Sequence, residues 1–173
     1  MYTLYTFTTP VFIKTLGGLK AVLAKAEAHV KEKGIDEKIF LGDQLIADMF
    51  PLAKQVEIAC DNAKNGVMRL TGVEAPKFAD NTSTFAELNE RIDKTLEYLQ
   101  SVPEGAFAGA EDRQAILPYF PGKYMTGFDY AREYALPNFF FHTVTAYGII
   151  RKNGVAIGKA DYINGMPLRD LAA

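Results

Sequence analysis

Chemistry in this chain has few imidazoles to draw on. His29 and His142 are its two histidines and Cys60 is its single cysteine. A Cys2His2 zinc site and a helical HExxH motif are therefore excluded. One thiol builds neither an internal disulfide nor a cysteine-based metal site, which fits a reducing, cytoplasmic location. His142 is the more informative histidine because it closes the stretch Leu136-Pro137-Asn138-Phe139-Phe140-Phe141, among the most apolar in the chain. A polar ring in such surroundings needs a partner. Helical spacing stacks Asn138, His142, Thr145 and Ile149 on one stripe, so a carboxamide and an imidazole can meet a third group from a neighbouring helix. Gln55, between the core positions Leu52 and Val56, is the candidate.

Two readings of this trio stand side by side. In one it is a buried hydrogen-bond network that fixes helix register. In the other it is a small-molecule pocket, with His142 as general base or ligand and the two amides orienting a substrate. Tyr134 and Asp48 are further candidates for the lining of such a pocket. Tyr134 belongs to a set with Tyr119, Tyr124, Tyr130 and Tyr147 that either surrounds an aromatic pocket or seals the end of the fold. His29, beside the apolar stripe of the first helix and near its C-terminus, reads as structural, since an imidazolium gains there from the helix dipole. Cys60 reads as a small core residue, with no histidine near it in sequence. No phosphate-cradling glycine pattern, Walker motif or GxSxG element occurs.

The elements that must position these residues are helical. Phe12, Leu16, Leu19, Leu23, Ala26 and Val30 recur at steps of three and four, predicting a first helix over 9–33 with Pro10 in its first turn and Gly34 as its stop. Gly17-Gly18 inside it marks either a close helix approach or a bend. Leu52, Val56, Ala59, Ala63, Val67 and Leu70 predict a second helix from Pro51 to Gly72, with Asp48 placed to cap it. Thr84-Phe85-Ala86-Glu87 matches a capping box and opens a third. Residues 115–125 resemble two short extended arms about Pro121-Gly122, a small hairpin. A fourth helix runs from Pro137 to Lys152, ending at Asn153-Gly154. The tail from Val155 shows no strong period. Four amphipathic helices bury their stripes most economically as an all-α four-helix bundle, and the long connection before the last one permits an up-down-down-up order.

Composition bounds the rest. The 173 residues are 49% hydrophobic and 23% charged, as expected of one globular domain over 1–173. A net charge of -2 offers no positive surplus for nucleic acid. No segment is apolar for the roughly 18 residues that a membrane span needs, and no signal sequence opens the chain.

The motifs Ala135-Leu136-Pro137-Asn138-Phe139-Phe140-Phe141-His142 and Asp48-Met49-Phe50-Pro51-Leu52, with Gln55 and Cys60-Asp61, resemble the bacterial domain-of-unknown-function family numbered nineteen-ninety-three. Pro10-Val11-Phe12, Ala26-Glu27-Ala28-His29 and Asn153-Gly154-Val155 extend the resemblance over nearly the whole chain. That family sits in the DinB/YfiT-like superfamily of metalloenzyme-type proteins. The resemblance implies an up-down-down-up four-helix bundle, commonly a homodimer, and thiol-dependent transferase or hydrolase chemistry. It also implies a nickel or zinc ion held by one histidine on the second helix and two on the fourth. His142 resembles the retained ligand, while Asn138 and Gln55 stand where the superfamily has histidine. Amide oxygens are weaker donors to nickel or zinc than imidazole, so a His/Asn/Gln trio implies at most a weak site.

Overall fold

The structure is a computed structural model that describes residues 3–80 and 82–171. Helix α1 spans Leu4–Lys33. It starts earlier than its apolar stripe predicts because Thr3 and Thr6 form a reciprocal capping box, each side chain bonding the other's backbone N–H. Pro10 consequently lies inside the helix, not in its first turn. Burial of Leu4, Thr8 and Phe12 around it offsets the backbone bond that proline cannot make. Gly34 ends α1 in the left-handed region, at φ 63°.

A short helix α2, Glu37–Leu41, forms between the first two predicted helices, capped by Asp36. Helix α3 is Leu52–Thr71, and Asp48 does not cap it; the Leu52 N–H donates to the Asp43 carbonyl instead, at 2.9 Å. Helix α4, Phe85–Ser101, carries the predicted Thr84/Glu87 capping box, and Glu90 pairs with Lys94 on its exposed side at 2.6 Å. Strands β1, Gln114–Ala115, and β2, Met125–Thr126, pair antiparallel for two residues each, so only the outer ends of the expected arms are bonded.

The last long helix begins sooner than Pro137 suggests. Helix α5, Gly127–Asp129, runs through one π-helical segment, Tyr130–Ala135, into α6, Leu136–Lys152. A methyl group on Gly127 would lie 1.8 Å from the Ala110 carbonyl oxygen, so that entry requires glycine. Helix α7, Lys159–Ile163, lies in the tail where no periodicity was visible, and packs on α1. That packing explains the Gly17-Gly18 pair as a close approach: a methyl on Gly18 would sit 2.9 Å from the Tyr162 carbonyl oxygen.

The four long helices surround one apolar core. α3 packs against α4 and α6, and α1 packs against the same two. Phe12, Leu16, Leu23, Leu52, Leu88 and Phe139 are fully enclosed there, each stabilising the fold by about 1.5–3 kcal/mol. Polar contacts fix the relative placement of the helices. Thr3, before α1, bonds Glu104, beyond the end of α4, while Glu37, after α1, accepts from the Phe85 N–H at the start of α4. Residues 72–80 and 82–84 lie back along α3: Asp80 reaches Lys54, Thr82 reaches Glu57, and Tyr98 near the end of α4 donates to the Val73 carbonyl. No helix among the described residues is long and apolar enough to cross a membrane.

Candidate functional site

The α3–α6 contact assembles the predicted polar residues, but as two pairs rather than one trio. Gln55 is 1% exposed and bonded at both ends of its amide. Its Nε2 donates to the Phe50 carbonyl at 2.9 Å, and its Oε1 lies 2.7 Å from His142 Nδ1. A carbonyl can only accept, so the amide nitrogen must face Phe50 and the amide oxygen must face the ring. His142 Nδ1 therefore carries the proton, and Nε2 holds a lone pair. Nε2 has no hydrogen bond among the described residues, nor is it among the polar atoms sealed from solvent without a partner. Burial lowers the pKa of His142 below the usual histidine value, which keeps the ring neutral at pH 7. His142 is itself only 8% exposed, and its surroundings are apolar: Phe141 meets the imidazole edge-on at 5.2 Å, and Phe50 and Phe141 are each more than half exposed.

Asn138 turns to a different partner. Its Nδ2 donates to Asn62 Oδ1 at 3.0 Å, leaving it bonded to neither Gln55 nor His142. Asn62 was missed by the sequence reading although a signal for it existed. It follows Gln55 by two helical turns on α3 and so shares the stripe that faces α6. Tyr134 is half-buried and lines a cavity that also takes in Asn62. Asp48 is exposed in the connection before α3 and is not bonded to His142, Gln55 or Asn138. His29 is partly buried on α1 and is hydrogen-bonded to none of these residues. Cys60 is fully enclosed, and burial pushes its thiol up to about 12 against the weaker opposing effects of Thr95 and Arg91, so it is a core residue with almost no thiolate.

The model for a domain of unknown function, DUF1993, matches residues 4–163. The chain belongs to the DUF1993 family. A solved crystal structure of a DinB family member protein from Shewanella denitrificans is 47% identical to this DUF1993 chain, with a TM-score of 0.93, covering 97% of this chain and 96% of that one. No curated protein matches the sequence. The mostly helical fold of this DUF1993 protein is thus that of a DinB family member.

The metal implied by the wider superfamily does not fit the residues present. Among the described residues no three of His, Cys, Asp and Glu gather into a group that could hold an ion. The amides do not replace the missing imidazoles. Gln55 Oε1 is occupied by the proton on His142 Nδ1, and Asn138 is turned to Asn62. In this DUF1993 chain Gln55 therefore supports the histidine from behind instead of standing opposite it as a second ligand.

Proposed function

We propose that this DUF1993 protein is a DinB-type up-down-down-up helical bundle with a small-molecule site at His142, where the neutral imidazole offers Nε2 as a proton acceptor. The observation that carries this reading is the Gln55 clamp. One amide, anchored on the Phe50 carbonyl, dictates the tautomer of the ring and leaves its other nitrogen without a hydrogen bond, beside the exposed Phe141. That arrangement pre-organises a general base or a hydrogen-bond acceptor, without a metal. The bundle order is supported by the interhelix contacts: α1 and α4 meet start to end, α3 and α4 meet start to start, and Gln55–His142 with Asn62–Asn138 set α6 against α3 in the opposite sense.

The competing reading, a register-fixing network, is favoured by the full burial of Gln55. Diethyl pyrocarbonate separates the two because it acylates an unprotonated, accessible imidazole nitrogen. Our reading expects His142 to be modified in the folded protein, as found by peptide mass spectrometry. A ring that resists until the protein is unfolded supports the network and overturns the site. We also infer a homodimer formed through α6. Residues 136–150 carry no Asp, Glu, Lys or Arg, and Phe140, Phe141 and Val144 are exposed along them. An uncharged apolar helix face is self-complementary and suits a two-fold contact. Light scattering of wild type and Phe141→Glu at micromolar concentration tests this, with a dimer expected to become a monomer; a monomeric wild type refutes it.

A further inference from the structure

A polar cavity beside α3 has a charge ledger that does not close. The cavity encloses about 250 Å3, and Lys54, Asp61, Asn62, Arg69, Tyr119 and Tyr134 are among its lining residues. Most of the charges around it are paired in a chain. Glu57 bonds Lys54 at 2.9 Å, Lys54 bonds Asp80 at 3.2 Å, and Asp80 bonds Arg91 at 3.3 Å. Arg91 then bonds Asp61 at 2.9 Å, and Asp61 bonds Lys64 at 3.1 Å. Three carboxylates and three cations neutralise each other.

Arg69 stands outside this chain and has no carboxylate partner among the described residues. Its Nε donates to the Ile116 carbonyl at 3.1 Å. Its Nη1 donates to the Asn65 carbonyl and the Tyr130 hydroxyl, each at 3.4 Å. The ring of Tyr130 lies 5.9 Å from the guanidinium carbon. These contacts hold the guanidinium plane in place and leave Nη2 without a hydrogen bond. Tyr134 stacks on Tyr130 at 5.9 Å, and its hydroxyl, like that of Tyr119, makes no hydrogen bond among the described residues. A fixed, unneutralised guanidinium with a free N–H edge, beside two free phenol hydroxyls, is a receptor for an oxyanion.

The neighbourhood also defines the body of the ligand. A second cavity of about 200 Å3 adjoins the first, sharing Leu117 and Tyr134, and is walled by Ala115, Phe120, Lys123, Tyr124 and Met125. A largely apolar chamber, with Lys123 as its one charged residue, thus opens next to the unneutralised guanidinium. We propose that Arg69, with Tyr119 and Tyr134, binds the carboxylate of a small monocarboxylic acid whose apolar body lies over Leu117 in the adjoining chamber. A dianion is disfavoured at Arg69, since its second charge would face Asp61 and Asp80 across the same cavity. This site is independent of the proton-acceptor role of His142, and its test does not involve that residue.

Isothermal titration of the full chain with octanoate, octanol and octyl phosphate tests the proposal. Octanoate is expected to bind saturably, at least tenfold more tightly than either of the others, and Arg69→Met is expected to weaken it roughly tenfold to a hundredfold. Octanol binding as tightly as octanoate overturns the proposal, because the charge is then not read. Octyl phosphate binding more tightly overturns the assignment to a monocarboxylate, and no binding of octanoate overturns the site. A measurement on wild type guards against misfolding of the variant. Octanoate should protect Arg69 from modification by p-hydroxyphenylglyoxal, read by peptide mass spectrometry, and modification of Arg69 at an unchanged rate refutes the site.

Discussion

Adjacent glycines in α1 should respond to the same substitution with opposite signs. A helix-interior glycine replaced by alanine gains about 1 kcal/mol from backbone propensity alone. At Gly17 the added methyl meets only the Nδ2 atom of the exposed Asn164 side chain, at 3.3 Å, and that chain end, held only by a long 3.3 Å bond to the Lys14 carbonyl, can move. At Gly18 it meets the Tyr162 carbonyl oxygen at 2.9 Å and Asn164 Cβ at 3.1 Å, which belong to the α7 backbone and its end. Such overpacking costs about 1–3 kcal/mol. Gly17→Ala is therefore expected to stabilise by up to about 1 kcal/mol, and Gly18→Ala to lie between neutral and about 2 kcal/mol destabilising. In a chain of this size 1 kcal/mol moves Tm by about 2–4 °C. Thermal melts followed by circular dichroism read the difference directly, and limited proteolysis around Gly165 should show α7 loosened only in Gly18→Ala. A Gly18→Ala protein that melts as high as Gly17→Ala, with α7 still protected, refutes the close-approach explanation.

Other predictions follow from the ion chain and the buried thiol. Arg91 is 4% exposed and holds Asp61, Asp80 and the Ala79 carbonyl, so Arg91→Met should destabilise by about 3–5 kcal/mol in a urea titration; a change below about 1 kcal/mol contradicts its role. Glu57 is pushed upward by burial, yet hydrogen bonds from Thr82 and Lys54 outweigh this and hold it below the usual carboxylate range. A carboxyl lowered in the folded state stabilises the protein above its unfolded pKa and ceases to do so as pH falls through the folded value. The Glu57→Gln variant should thus lose less stability than wild type on acidification, and equal acid slopes would refute this. With its thiol raised to about 12, Cys60 should ignore Ellman's reagent at pH 8 until urea unfolds the chain, and prompt reaction of the folded protein contradicts its burial.

What could be read from sequence depended on range. Stripes such as Leu52, Val56, Ala63 and Leu70 identify long helices because period 3.6 is a local property, and the Thr84/Glu87 box marks a boundary because both partners lie within one turn. The start of α1 was missed because Thr3 and Thr6 are a weaker box than Ser/Thr with Glu, and a proline invites a boundary of its own. Helix α7 has no stripe because it is five residues long and held by docking on Gly18. At the site, His142 and Gln55 were legible as polar residues on apolar faces. Their separation from Asn138 was not, because pairing across α3 and α6 depends on axial stagger, which neither helix encodes alone. Arg69 was invisible for the same reason: its isolation emerges only when the pairs Lys54–Asp80 and Arg91–Asp61, distant in sequence, are set beside it.

The protonation state of His142 tests the central claim most directly. Long-range nitrogen–proton correlation NMR, with His29→Gln to assign the signals, reports the tautomer and the titration midpoint of the ring. The geometry predicts a neutral imidazole at pH 7 with its proton on Nδ1 and a midpoint below the ordinary histidine value, so that stability falls as pH drops through the unfolded pKa of about 6.5. A proton on Nε2, or a midpoint above that value, would mean that Gln55 does not hold the ring as described and would remove His142 as a pre-organised acceptor.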